Sequence, residues 1–247
     1  MTPAQFDLSI VIPAYMEAAL ITASLTQLAD WLRTHDYGQV EVIVVVADSD
    51  DGTAKLAEAM APQFTSLRVV KPGPRVGKGR DVRFGMLAAT GRYRLYMDAD
   101  LATPLRHLDD VAAGAAAGDD IIIAVRDLWS IHKGLLRKLI SKLGNVVAQI
   151  VVVPGIPDTQ CGFKAFRGDV ATDVFRRQTM MGWSFDAELL AIARRHRYNI
   201  TTFKAPNWTD PKDGNMGLVG DSPLHAAVST FWDLLVIRAG LWTGSYR

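Results

Sequence analysis

The sequence has one cysteine, almost no net charge and no long apolar run, and each shortage excludes a class of protein. One Cys in 247 residues leaves no intramolecular disulfide and no Cys-rich zinc site, so a reducing compartment is the natural setting. With 27 Lys+Arg against 26 Asp+Glu the formal net charge is +1, which gives no bulk electrostatic reason to bind nucleic acid. Half the chain is hydrophobic (49%), yet a spanning helix needs ~20 consecutive apolar residues. The longest apolar stretch, Val146 to Val153, is broken by Gln149 and stopped by Pro154-Gly155. Met1 to Asp7 has neither the basic start nor the apolar core of a signal peptide. Six Trp and 21% charged residues are those of a chain that folds. The length suits one large domain or two small ones.

What is present is alternation. Short β-branched runs at Leu8–Pro13, Val40–Val46, Leu67–Val70 and Tyr93–Met97 predict four buried strands. Between them lie segments of helical period, Glu17 to about Thr34, Thr53 to about Met60, and Gly79 to Thr90 with a stop at Gly91. This pattern predicts an α/β fold with a mostly parallel sheet covered on both faces. Beyond it are a strand at Ile121–Val125 ending on Arg126, a long helical segment from His132 to about Val153, a helix near Phe185–Arg195, a strand near Ile200–Phe203 and a closing helix from about Ser222 to Ala239. The expected division is residues 1–215 as the main domain and 216–247 as a helical segment packed on it or on a membrane surface.

Ligands of parallel sheets bind beyond the carboxyl ends of the strands. Four loops converge there: Pro13-Ala-Tyr-Met-Glu17, Asp48-Ser-Asp-Asp51, Lys71 through Gly79, and Asp98-Ala-Asp100. Two carboxylates two residues apart at a strand end suit a hard divalent cation sharing phosphate oxygens, although an Asp-rich turn also caps helices. Gly77-Lys78-Gly79 suits a phosphate, but it is neither a P-loop nor a dinucleotide fingerprint. From Lys71 to Arg94 there are seven basic residues and one acid, Asp81, either a phosphate-facing loop or a solvated helix face. Asp48 and Glu17 suit hydrogen bonds from a base or ribose. Cys161 has no histidine near it in sequence and reads as a packing residue. The five His show no metal-ligand spacing.

Taken in order, these loops resemble the family 2 glycosyltransferases, which have the GT-A (Rossmann-like) fold. Asp98-Ala-Asp-Leu-Ala-Thr-Pro104, Asp158-Thr-Gln-Cys-Gly-Phe-Lys164 and Trp183-Ser-Phe-Asp-Ala-Glu188 resemble the dolichyl- and polyprenyl-phosphate glucosyl- and mannosyltransferases within it. The resemblance runs from about Leu8 to Asn215. It implies that Pro13, Tyr15, Glu17 and Asp48 hold the nucleoside and that Lys78, Ala99 and Gln160 line the nucleotide-sugar site. It implies that Asp98 and Asp100 bind Mg2+ or Mn2+, and that Arg126, Arg137 and Ser141 meet the acceptor phosphate. Asp186, on the sugar side, joins Asp100 and Arg126 among the catalytic residues. The sequence departs from the family pattern at Met16, where most members have Asn, at Ala47, where an Asp is usual, and at Ala102, where mannosyltransferase relatives often have Gln.

The implied activity is inverting transfer of a hexose, glucose before mannose, from UDP-glucose or GDP-mannose to a polyprenyl phosphate. Such an acceptor is already an anionic nucleophile and needs no strong base. Its repulsion from the donor diphosphate is what Lys78, Arg126 and Arg137 offset. A soluble family 2 enzyme with a hydroxyl acceptor is the alternative, and an idle nucleotide-sugar-binding module the third reading. Leu128 to Pro157 contains Lys133, Arg137, Lys138 and Lys142 and no acid, interleaved with leucines. It reads as a basic amphipathic helix on the cytosolic face of a membrane, or equally as a core helix with a basic solvent face. The expected location is cytoplasmic and peripheral. The oligomeric state is left open.

Overall fold

The computed structural model describes residues 4–126, 152–206, 208 and 223–246, without the side chains of 223–228. Seven strands form one sheet: β1 (Phe6–Ala14), β2 (Val40–Val46), β3 (Leu67–Val70), β4 (Gly91–Met97), β5 (Ile121–Arg126), β6 (Phe163–Arg167) and β7 (Ile200–Ala205). Among the described residues seven α-helices cover it: α1 (Ile21–Thr34), α2 (Thr53–Ala59), α3 (Lys78–Ala88), α4 (Leu108–Ala117), α5 (Gly168–Arg177), α6 (Phe185–Arg195) and α7 (Pro223–Thr243).

The strand order is β3-β2-β1-β4-β6-β5-β7. Every pair is parallel except those of β6, which runs antiparallel between β4 and β5. Chain order runs outward from β1 to β2 and β3, then returns to β4 on the other side of β1. Crossovers leave the sheet in opposite directions there, so a crevice opens at the carboxyl ends of β1 and β4.

Alternation along the strands makes two cores. Ile10, Ile12, Val42, Val44, Leu95 and Met97 face α1, α2 and α4. Val11, Ile43, Val45, Tyr96, Ile123 and Phe166 face α3, α5, α6 and α7. The inner stretches Ile10–Ile12 and Val42–Val46 are apolar on both sides because both faces of the sheet are buried there.

The structure differs from the sequence reading in three places. α1 begins at Ile21, since residues 17–20 form a turn closed by the Leu20 and Ile21 amides on the Glu17 carbonyl (3.0 and 2.9 Å). α3 ends at Ala88, and Gly91 opens β4 rather than capping the helix. β6 and α5 were not foreseen. The expected helix from His132 lies outside the described residues except for its last two, Val152 and Val153, which are not helical.

Candidate active site

The first two loops are braced to each other before any ligand is considered. The Glu17 amide donates to Thr53 Oγ1 (2.9 Å) and the Ala18 amide to Asp51 Oδ2 (3.0 Å). Asp51 also accepts from the Thr53 hydroxyl (2.6 Å), the Thr53 amide (3.1 Å) and the Ser49 hydroxyl (2.8 Å). Burial pushes the Asp51 carboxyl up, but these donors outweigh it and hold it down at about 2. Asp51 is therefore a brace between loops rather than a simple helix cap. The Asp48 amide donates to the Gly73 carbonyl (3.1 Å), tying the second loop to the third and leaving the Asp48 side chain exposed. Arg75 lies over the Tyr15 ring, 3.9 Å from its centre.

The aspartates of the fourth loop sit at the mouth of the crevice. Asp98 forms an ion pair with Lys78 at the start of α3. Burial lowers the Lys78 ammonium's pKa, and Asp98, helped by Asp186 and Asp100, more than offsets it, so the net shift is upward and the lysine stays charged. Asp100 Oδ1 accepts the Ala102 amide (3.0 Å), and the turn carries Leu101 at a φ of 53°. Burial, reinforced by Asp98, raises the Asp100 carboxyl above its ordinary range. Burial also raises Glu17, followed by Asp100, Asp51 and Asp98. Glu17, Asp98 and Asp100 thus form a carboxylate group with more negative charge than Lys78 and Arg75 offset.

Two glycines explain how close these parts come. A Cβ on Gly162 would collide with the carboxylate of Asp98, so the 161–162 turn backs directly onto it. A Cβ on Gly77 would collide with the Met181 carbonyl oxygen. The Arg80 amide donates to that same carbonyl (3.2 Å), and Gln178 Nε2 donates to the Gly79 carbonyl (2.9 Å). Residues 178–183 therefore form a strap against the Gly77-Lys78-Gly79 turn. It places the exposed Trp183 ring 5.4 Å from Lys78 Nζ.

Arg126 ends β5 on the same edge. Asp158 grips it with two oxygens, from Nε at 2.6 Å and Nη2 at 2.9 Å, and also accepts its amide (3.2 Å). Burial opposes both charges, but the pairing overcomes it: Asp158 is lowered and Arg126 raised. The guanidinium also lies 5.1 Å from the Trp208 ring centre. Gln160 is exposed, its amide on Asp158 (3.1 Å). Asp186 is buried at 3% exposure; it pairs with the fully buried Lys164 and accepts the Tyr96 hydroxyl (2.5 Å). Lys164 also donates to the Cys161 carbonyl (2.5 Å). Burial pushes the Cys161 thiol up to about 11, in keeping with a packing role.

The structure thus gathers Pro13 at the end of β1, Tyr15, Glu17, Asp48, Asp98, Ala99 and Asp100 on the loops, Lys78 at the start of α3 and Arg126 at the end of β5 along one edge of the sheet. Arg137 and Ser141 lie outside the described residues. Among the described residues no cluster of three or more His, Cys, Asp or Glu forms a metal-holding group. A model described as glycosyl transferase family 2 matches residues 9–175.

The chain belongs to glycosyl transferase family 2. A dolichyl-phosphate beta-glucosyltransferase of Trichomonas vaginalis is 27% identical over 97% of this chain and 76% of its own length. Enzymes of the same name from Homo sapiens (28%; 98% and 78%) and Drosophila melanogaster (30%; 98% and 77%) are similar. Among solved structures, glucosyl-3-phosphoglycerate synthase from Mycobacterium tuberculosis with UDP superposes with a TM-score of 0.64 at 19% identity, over 96% of this chain and 80% of that one. The same enzyme with Mn2+, UDP-glucose and phosphoglyceric acid gives 0.63 at 18%, with the same coverage. At these identities the structural likeness is one of fold, and it is the GT-A fold of family 2.

Sequence pattern does not reveal what holds these loops together. Asp158 stands within the 158–164 motif, and its grip on Arg126, 32 residues away, leaves no local signal. Lys164 sits mid-strand, where a charge signals a buried pair. Glu188, fully buried, accepts from the Thr179 amide (3.0 Å) and hydroxyl (2.5 Å), the Met180 amide (2.8 Å) and the Tyr246 hydroxyl (2.9 Å), and so anchors the strap.

Proposed function

We propose that this chain transfers glucose from UDP-glucose to a polyprenyl or dolichyl phosphate with inversion at C1. The acceptor phosphate oxygen forms the new bond to C1, the bond from C1 to the diphosphate oxygen breaks, and UDP leaves. The observation that carries this reading is a cationic group, Arg126, held by Asp158 on the strand edge that carries Lys78 and the three crevice carboxylates. It is supported by the likeness, at 27–30% identity over nearly the whole chain, to proteins named dolichyl-phosphate beta-glucosyltransferases. Those names also favour glucose over mannose.

The residues present fit a divalent cation: Asp98 and Asp100 offer hard oxygens two residues apart at the end of β4, and burial, reinforced by Asp98, raises the Asp100 carboxyl. When bound there, Mg2+ or Mn2+ would neutralise charge on the donor diphosphate. Arg126 and Lys78 would orient the two phosphate groups and offset their repulsion. Asp186 is engaged by Lys164 and Tyr96, which suits a scaffold better than a base. The enzyme would work as a peripheral protein at the cytosolic face of a membrane.

The test is to incubate the protein with labelled UDP-glucose or GDP-mannose, Mg2+ or Mn2+, and either a polyprenyl phosphate or 3-phosphoglycerate. Label from UDP-glucose should enter the organic phase. Label found only on the soluble acceptor, or free in water, would overturn the lipid-phosphate reading.

A further inference from the structure

Helix α7 has two apolar faces, and the fold uses one. Leu234 (3% exposed) and Ile237 (0%) enter the core beside α6. On the other side Phe231, Trp232, Leu235, Val236 and Trp242 are 40–75% exposed. At about 100° per residue these five fall within an arc of about 140°, opposite the buried pair. An exposed stripe of this kind, dominated by large aromatics, marks an interaction surface.

Three observations say what covers it. First, the stripe borders the donor site. Ser184 Oγ donates to Asp233 (2.6 Å), so exposed Trp183 of the strap and Trp232 of α7 flank one hydrogen bond, with Lys78 close to the Trp183 ring. A second protein copy seated there would crowd the site that a lipid-borne acceptor must reach. Second, the surroundings are cationic. Arg238 lies 5.1 Å from the Trp242 ring centre, Arg195 of α6 reaches the Leu241 carbonyl (3.0 Å), and Asp233 is the one acid from Pro223 to Arg247. Third, no helix among the described residues is long and apolar enough to cross a membrane, so the face can lie on a bilayer but not span it. Tryptophan rings with a basic edge suit the headgroup boundary of an anionic bilayer.

We propose that the outer face of α7 rests on an anionic lipid surface, with Trp232 and Trp242 at headgroup depth, and so brings the donor site to the acceptor's phosphate. The proposal deepens the lipid-phosphate reading and rests on it. The test is co-sedimentation of the full chain with phosphatidylcholine vesicles, with and without phosphatidylglycerol, for the natural sequence and the double variant Trp232→Ser/Trp242→Ser. Binding should need the anionic lipid and fall at least tenfold in the variant. The variant should keep transfer to a short polyprenyl phosphate in detergent while losing transfer to the same acceptor embedded in vesicles. Unchanged vesicle binding by the variant would overturn the proposal. So would a natural-sequence dimer in solution that the variant converts to monomer, because the stripe would then be covered by a second copy. If the natural sequence transfers glucose to no polyprenyl phosphate even in detergent, the functional reading fails, and the vesicle arm still decides the docking face.

Discussion

Met16 carries a φ of 56°, a left-handed conformation that a long side chain adopts only at a cost. Its side chain is 52% exposed, so packing does little to compensate. Asn is among the non-glycine residues that tolerate this geometry best. Met16→Asn should raise the free energy of unfolding by about 1 kcal/mol, read as a higher urea midpoint at unchanged m. A lower midpoint would show that Met16 makes a contact worth more than the backbone relief. Asp100 is strained in another way. Its carboxyl is raised by burial and by Asp98, so its ionised form weighs against the fold at pH 7. Below about pH 4, the unfolded value, both states are protonated and that cost is gone. Asp100→Asn should therefore abolish transfer yet raise Tm at pH 7, with the gain fading as the pH falls toward 4. A Tm at pH 7 equal to or below that of the natural sequence would show that the carboxylate is already neutralised in the folded chain.

Two internal attachments set the position of whole elements. Lys164 on β6 and Asp186 on α6 bind each other out of contact with water. Asp186→Asn leaves a buried ammonium without its counter-charge and should cost about 3–5 kcal/mol. Adding Lys164→Met should recover most of that in denaturant titrations. Full stability of Asp186→Asn together with lost transfer would instead give Asp186 a part in the reaction. Glu188 on α6 fixes the strap over Lys78 through Thr179 and Met180, and Tyr246 closes the group. Tyr246→Phe removes one bond to a carboxylate, worth about 2 kcal/mol. If the group positions the strap, KM for the nucleotide sugar should rise severalfold with kcat little changed. Tyr198→Phe, which loses a similar bond to Asp173 (3.0 Å) away from the crevice, should lower stability without moving KM. Equal effects of both on KM would reduce Glu188 to a stability role.

At the scale of the molecule, the β1/β4 switch and its loops were legible because a sheet buried on both faces writes unbroken Val/Ile runs, and the polar residues left over fall at strand ends. β6 and α5 were illegible for a physical reason. β6 is five residues long with Lys164 inside it, stabilised by a partner 22 residues on, and α5 follows with no loop between. Local pattern cannot report a charge whose compensation is remote. The same holds for Asp158, which matters through Arg126, 32 residues earlier. Long-range closure also bears on the last helix, which the sequence set apart as residues 216–247. Its Leu234, Ile237 and Tyr246 share one buried cluster with Phe185 and Leu189, and Asp233, Leu241 and Tyr246 receive bonds from Ser184, Arg195 and His196. Removing three core side chains costs roughly 2–5 kcal/mol each, comparable in sum to the whole stability of a domain. Deleting residues 223–247 should therefore give a chain without a cooperative thermal transition and without UDP binding. A truncated chain that melts cooperatively and still binds UDP would show that the sheet and the helices α1 to α6 fold without α7, and that the strap needs neither Asp233 nor Tyr246 to hold its place.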